Sequence, residues 1–190
     1  MDARTALTRG TGDQRWAAAR ALGDRPGDPE LLGRALSNEP DPRVREAIFN
    51  SLIHAHSATS VEALLPHLRA DDANLRTGAL DALKVMSAVA APSLPELLHD
   101  RDPDVRLLAC EIARELPGAQ ATALLCRLLE GEGQVNVCGA AVEVLAEIGG
   151  SEALPALARC AERFADEPFL VFSIRTASSR IGPASAEPIA

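Results

Sequence analysis

Apolar or small residues recur three, six and seven places beyond a repeated arginine. Ile48, Ser51 and Leu52 follow Arg45 in this way, Ala79, Ala82 and Leu83 follow Arg76, and Ala109, Ile112 and Ala113 follow Arg106. Looser copies follow Arg15 (Ala18, Ala21, Leu22) and Cys138 (Ala141, Val144, Leu145). The anchors at 15, 45, 76, 106 and 138 stand 30, 31, 30 and 32 residues apart. A degenerate sixth copy near 171 runs through Val171, Ile174 and Ala177 to Ile181-Gly182. Positions spaced in this way share one face of an α-helix, and a sustained period of this length marks a repeat architecture.

Each repeat predicts two helices. The first opens at an Asp (Asp41, Asp72, Asp102), whose carboxylate can accept from the orphan N–H groups of the first turn. Pro42 and Pro103 then occupy the first helical position, where a missing N–H costs nothing. A second, Leu-rich helix follows, read at Leu31–Leu36, Leu64–Leu68, Leu94–Leu98, Leu124–Leu129 and Leu154–Cys160, with Ser151 as the expected cap of the last. No segment shows sustained strand alternation. The reading is all-α: an α-α superhelix, or solenoid, of about five to six two-helix repeats, in which stacking buries faces that no single pair could bury. It forms one solenoid over residues 1–182, with a short C-terminal tail at 183–190.

The phrase Asp102-Pro103-Asp104-Val105-Arg106, echoed at Asp41–Arg45, and the Leu-Pro-x-Leu phrase at Leu65–Leu68, Leu94–Leu97 and Leu154–Leu157 carry a family resemblance. They resemble the short bacterial HEAT repeats, a subtype also called the phycobilisome-lyase-like repeat. The resemblance spans nearly the whole chain and is strongest between residues 38 and 116. It implies a solenoid fold and, for most members, a protein-binding scaffold; a minority handle bilins, hydroxylate a modified lysine or bind damaged DNA. It also implies a structural ladder between neighbouring repeats, built here from Asp41, Asp72 and Asp102 with Arg45, Arg76 and Arg106, and second helices that line the concave surface.

Composition narrows the function. The 190 residues carry a net charge of −8, and Lys84 is the sole lysine beside 18 arginines. An acidic chain gains little counterion release from nucleic acid, which disfavours DNA or RNA as partner. No apolar run approaches a membrane span and the first residues carry no apolar signal core, so the expectation is a cytoplasmic protein without a membrane partner. A phosphate-binding loop needs a Gly-Lys pair, and Lys84 follows Leu83. Gly149-Gly150-Ser151-Glu152-Ala153 misses the final glycine of a nucleophile elbow. His54 and His56 point to different helical faces, and no His precedes a Glu, as the His-Glu pairs of the HEAT-like lysine hydroxylases would require. Cys110, Cys126, Cys138 and Cys160 form no CxxC pair and read as reduced core residues, with Cys126 and Cys160 as neighbours in equivalent helices. No catalytic residue, cofactor or metal ligand is therefore assigned.

One recognition feature remains. Aligned second helices place Arg34, His67, Arg127 and Arg159 at corresponding positions, with Arg69 and Arg163 nearby. These six form the candidate partner-binding set, suited to an acidic protein segment because guanidinium and carboxylate pair through two parallel hydrogen bonds. Trp16 is expected to pack beneath residues 2–9, and Phe164, Phe169 and Phe172 inside the last repeat, an apolar C-terminal edge being the route to self-association. The expected function is a non-enzymatic protein-protein interaction scaffold or adaptor binding on its concave face. The alternative is a lyase-like accessory handling a bilin or other cofactor on a client protein.

Overall fold

A computed structural model describes residues 1–23 and 28–182, and their regular elements are all helical. The fold class is an all-α solenoid. The chain divides into two compact units, Met1–Ala90 and Ala91–Ala190. The tail expected at 183–190 lies outside the described residues. None of the described helices is long and apolar enough to cross a membrane.

In the first unit α1 (Ala3–Arg9) packs on α2 (Gly12–Leu22), and α3 (Asp28–Leu36), α4 (Pro42–Ala55) and α5 (Ala58–Leu64) follow. A 3₁₀ segment (Leu65–Arg69) continues α5 and leads to α6 (Ala73–Val85) and the single turn α7 (Ser87–Ala90). The first helices α2, α4 and α6 stack side by side, and α3 packs on α5 as a second layer. Ile48, Leu52, Ala79 and Leu83 are buried between the layers, as their spacing beyond Arg45 and Arg76 predicts. Each fully buried Ile or Leu contributes about 1.5–3 kcal/mol. Ser51 sits at an otherwise apolar position because its hydroxyl donates to the carbonyl of Ala19, 2.9 Å away on the preceding first helix.

The second unit begins with a 3₁₀ turn (Ala91–Ser93) and the single turn α8 (Leu94–Leu97), then α9 (Pro103–Ala113), α10 (Gly118–Gly131) and α11 (Val135–Ile148). A 3₁₀ turn (Ser151–Ala153) precedes α12 (Leu154–Arg163), and α13 (Pro168–Ile181) ends the described chain. Here α9, α11 and α13 form one layer, with α10 and α12 the other.

The Asp caps follow from sequence. Asp41 accepts from the N–H of Arg43 at 2.9 Å, Asp72 from Asn74 at 2.9 Å, and Asp102 from Asp104 at 3.0 Å. The Leu-Pro-x-Leu phrase opens a segment each time, with its proline in the first turn of the 3₁₀ run (Leu65–Arg69), of α8 (Leu94–Leu97) and of α12 (Leu154–Arg163). The first-turn N–H groups have no partner within a helix, so a proline there forgoes no hydrogen bond. Ser151 requires a correction, because it lies in the 3₁₀ turn before α12 and gives that helix no side-chain cap.

Candidate functional site

Two kinds of surface emerge from this layering: the outward faces of the second helices, and grooves between consecutive first helices. The expected ladder is the frame behind both. Arg45 donates from Nη1 to Asp72 at 2.6 Å and from Nε to the carbonyl of Glu39, tying one repeat to the next. Two further arginines are held by glutamates. Arg15 is held by Glu39, with Nε–Oε2 at 2.7 Å and Nη2–Oε1 at 2.8 Å, and Arg106 by Glu132, at 2.6 and 3.0 Å. Asp41 and Asp102 spend their carboxylates on helix caps, and Arg76 donates to the carbonyl of Ala70.

Glu39 and Glu132 are nearly fully buried. Each also accepts from the backbone N–H two residues on, of Asp41 and of Gln134, and so fixes the loop that starts the next first helix. Burial alone would raise both carboxyl pKa values, but the guanidinium and backbone hydrogen bonds outweigh it and hold them below 4.5. Sequence inspection did not single out either residue, since a Glu near a helix end reads as a solvated charge.

The six candidate partner-binding residues separate by environment. Arg34 is exposed on α3, and its nearest carboxylate, Glu30 one turn away, is 3.9 Å off. Arg127 is exposed on α10 and, among the described residues, bonds to the carbonyl of Ala123 in its own helix, at 3.2 Å. Arg159 reaches Glu130 at 3.2 Å across α10 and α12, both side chains being more than half exposed. Arg69 is exposed at the end of its 3₁₀ segment.

His67 is not presented in the way the alignment expects, and Arg163, though exposed, is engaged by backbone carbonyls. His67 is buried, with Nε2 2.9 Å from the carbonyl of Gly33, and burial lowers its pKa below 6.5. Gly33 permits the contact: a Cβ there would meet Ala63 at 2.8 Å, so α3 and α5 lie unusually close. Arg163 donates to the carbonyls of Glu130 and Glu132 at 3.3 and 3.1 Å, as well as to that of Leu129, closing the C-terminal end of α10. A cation is favoured there by the unpaired carbonyls.

The first-helix grooves carry the aromatic residues. Trp16 does not pack beneath residues 2–9; it is 39% exposed and faces a groove of about 700 Å³ between α2 and α4, with the Arg20 guanidinium 4.8 Å from its ring centre. Phe169 and Phe172 stand 86% and 69% exposed on α13 rather than inside the last repeat. Phe169 borders a groove with Leu107, Glu111 and Glu143 from α9 and α11. Arg114 gathers acids nearby, meeting Glu111 at 3.1 Å and Glu147 in direct contact.

The thiols differ in acidity. Burial pushes Cys110 up to about 12 and raises Cys126 as well. Cys160 neighbours Cys138. Both members of that pair are buried; the contact with Cys160 together with burial holds the proton on Cys138, whose Sγ also lies 3.8 Å from the carbonyl of Glu132, while the hydrogen bond with Cys138 lowers the Cys160 thiol to about 7. Among the described residues, no group of three or more His, Cys, Asp or Glu is placed to hold a metal ion.

Comparison with known proteins follows the same lines. A family model of HEAT repeats matches residues 4–84 and 90–168. No curated protein matches the chain in sequence. Among solved structures, Cex1p is similar at a TM-score of 0.56 and 14% identity, over 94% of this chain and 41% of that one. An engineered protein is similar over 94% of both chains at a TM-score of 0.45 and 16% identity. The complex of CpcE and CpcF of phycocyanin lyase from Nostoc sp. PCC7120 is similar at a TM-score of 0.38 and 22% identity, over 94% of this chain and 80% of that one.

Proposed function

The chain belongs to the HEAT-repeat family, and from that premise we propose that it is a non-enzymatic scaffold or adaptor that holds a partner protein through second-helix arginines. The observation that carries this reading is the state of Arg34 and Arg127. Each projects from a second helix into solvent, and neither has a carboxylate within hydrogen-bonding distance among the described residues. A guanidinium left in this state offers its paired donors to an incoming Asp or Glu, and such charge-assisted bonds are about twice as strong as neutral ones. Arg159 joins them by exchanging its exposed Glu130 contact for a partner's carboxylate, since a surface pair of that kind is worth only ~0–1 kcal/mol. No bond is made or broken in this role. Covalent attachment chemistry would need an accessible thiolate; the thiols of Cys110 and Cys126 are raised, and Cys160, whose thiol is lowered, is buried.

The test is affinity purification from the lysate of the source organism, followed by reconstitution with the purified partner. The comparison is between the wild-type chain and the triple variant Arg34→Glu, Arg127→Glu, Arg159→Glu. A stoichiometric partner captured by wild type and lost by the variant supports the reading. Recovery of the chain alone overturns the scaffold role. A partner that binds the variant equally well overturns the assignment to these arginines.

A further inference from the structure

The groove between the first helices α4 and α6 combines apolar side chains with two exposed carboxylates. It encloses about 410 Å³, and Phe49, Ile53 and Val85 supply its apolar surface. Val85 is 63% exposed, an unusual cost for a branched aliphatic side chain on a helix whose other face is well packed. The Phe49 ring packs closely against Gly78 of α6, where an added Cβ would overlap it.

Glu46 and Asp81 stand at the rim, one from each helix, both exposed. Neither has a hydrogen-bonding or ionic partner among the described residues. Arg45 also lines the groove but is held by Asp72 and the carbonyl of Glu39, and Lys84 has a contact of its own. Glu46 also borders the adjoining groove beside Trp16, so one acidic residue serves two successive depressions on the same layer. Paired carboxylates beside an exposed apolar floor complement a segment that carries a positive charge next to an apolar side chain.

We propose that the α4–α6 groove is a docking site for a basic, apolar segment of a partner protein, with its Lys or Arg between Glu46 and Asp81 and its apolar side chain on Phe49, Ile53 and Val85. The proposal rests on the scaffold reading but concerns the other layer of the solenoid and the opposite charge, so that one chain engages acidic and basic segments on separate faces. Nothing in it requires the arginines of the second helices.

The experiment is panning of a displayed random-peptide library on the full chain, with captured peptides synthesised and their affinity measured by fluorescence anisotropy. Expected are peptides with Lys or Arg beside Leu, Ile or Phe. Their affinity falls about tenfold or more in the double variant Glu46→Lys, Asp81→Lys, as removal of complementary charge predicts. Val85→Ser weakens them too, while a control of equal charge change, Glu62→Lys with Glu96→Lys, leaves affinity within about twofold, the scatter of exposed charges. Failure to capture any peptide overturns the proposal, as do acidic peptides or an equal loss in the control. Sedimentation of the chain alone separates the remaining occupant: dimers abolished by Asp81→Lys would mean that a second copy fills the groove, which also overturns it. A lysate partner lost with the arginine variant would leave the scaffold reading standing through any of these failures.

Discussion

Arg106 and Glu132 stand 26 residues apart and share two hydrogen bonds, Nε to Oε2 at 2.6 Å and Nη2 to Oε1 at 3.0 Å. Glu132 is 3% exposed at its side chain and Arg106 14%, so each would be left desolvated without the other. Glu132→Ala should therefore cost about 3–5 kcal/mol, whereas Arg106→Met combined with Glu132→Leu should cost much less, because no buried charge is then stranded. Urea unfolding of the three proteins decides this. A single variant within about 0.5 kcal/mol of wild type would show that water reaches the pair after all.

Stability should decline with acid in two stages. His67 has a folded-state pKa below its ordinary 6.5, so the unfolded chain takes up that proton first and stability starts to fall once pH drops below about 6.5. Glu39 and Glu132 are held below 4.5 and Asp72 below 3.8, so the stability they supply is complete above those values and is lost as pH falls through the lower folded ones. Thermal midpoints measured from pH 8 to pH 3 should show a shallow step followed by a steeper one. His67→Gln should remove the first step alone; its persistence would assign it elsewhere.

The acidic residues that cap helices and those that tie repeats differ in how visible they are from sequence. Asp41 and Asp72 announce themselves, since an Asp before Pro or a small residue and an amphipathic run is a local signal read within one turn. Glu39 and Glu132 do not, because their burial depends on an arginine from another repeat. The core positions past Arg45, Arg76 and Arg106 were legible for the same local reason as the caps. Trp16 was misplaced because a lone aromatic has no periodic partner to show which side of its helix is covered. His67 shares a register with Arg34 and Arg127, yet it lies in the 3₁₀ segment Leu65–Arg69 and is buried. Spacing alone does not record that change of pitch.

His56 closes α4 with φ 44° and ψ 45°, the left-handed region, while its N–H bonds to the carbonyls of Ile53 and Leu52. That conformation costs a non-glycine residue roughly 1–2 kcal/mol, against about 0.5–1 kcal/mol of extra chain entropy that glycine must lose on folding. His56→Gly should thus stabilise the protein by up to about 1 kcal/mol, whereas His56→Val should destabilise it. Differential scanning calorimetry measures both, and a lower midpoint for the glycine variant would contradict the reading.

Thiol labelling should follow burial. Cys126 is half-buried and the other three cysteines are buried. With iodoacetamide at pH 8 under native conditions, mass spectrometry should find Cys126 modified slowly and Cys110, Cys138 and Cys160 protected, with all four labelled in denaturant. Rapid native labelling of Cys160 would instead reveal an accessible thiolate and revive covalent chemistry at α12.

The ties between repeats all bridge about one repeat length. The separation is 24 residues for Arg15 and Glu39, 27 for Arg45 and Asp72, 32 for Ser51 and Ala19, and 34 for His67 and Gly33. Closing loops of this size costs nearly the same entropy each time, because the penalty grows only with the logarithm of length. Two neighbouring repeats can therefore form a folding nucleus without waiting for distant parts of the chain, and further repeats add at a roughly constant increment. The speed at which this protein folds should accordingly reflect the best pair of repeats rather than the number of them, placing it with quickly folding chains of low contact order despite its length.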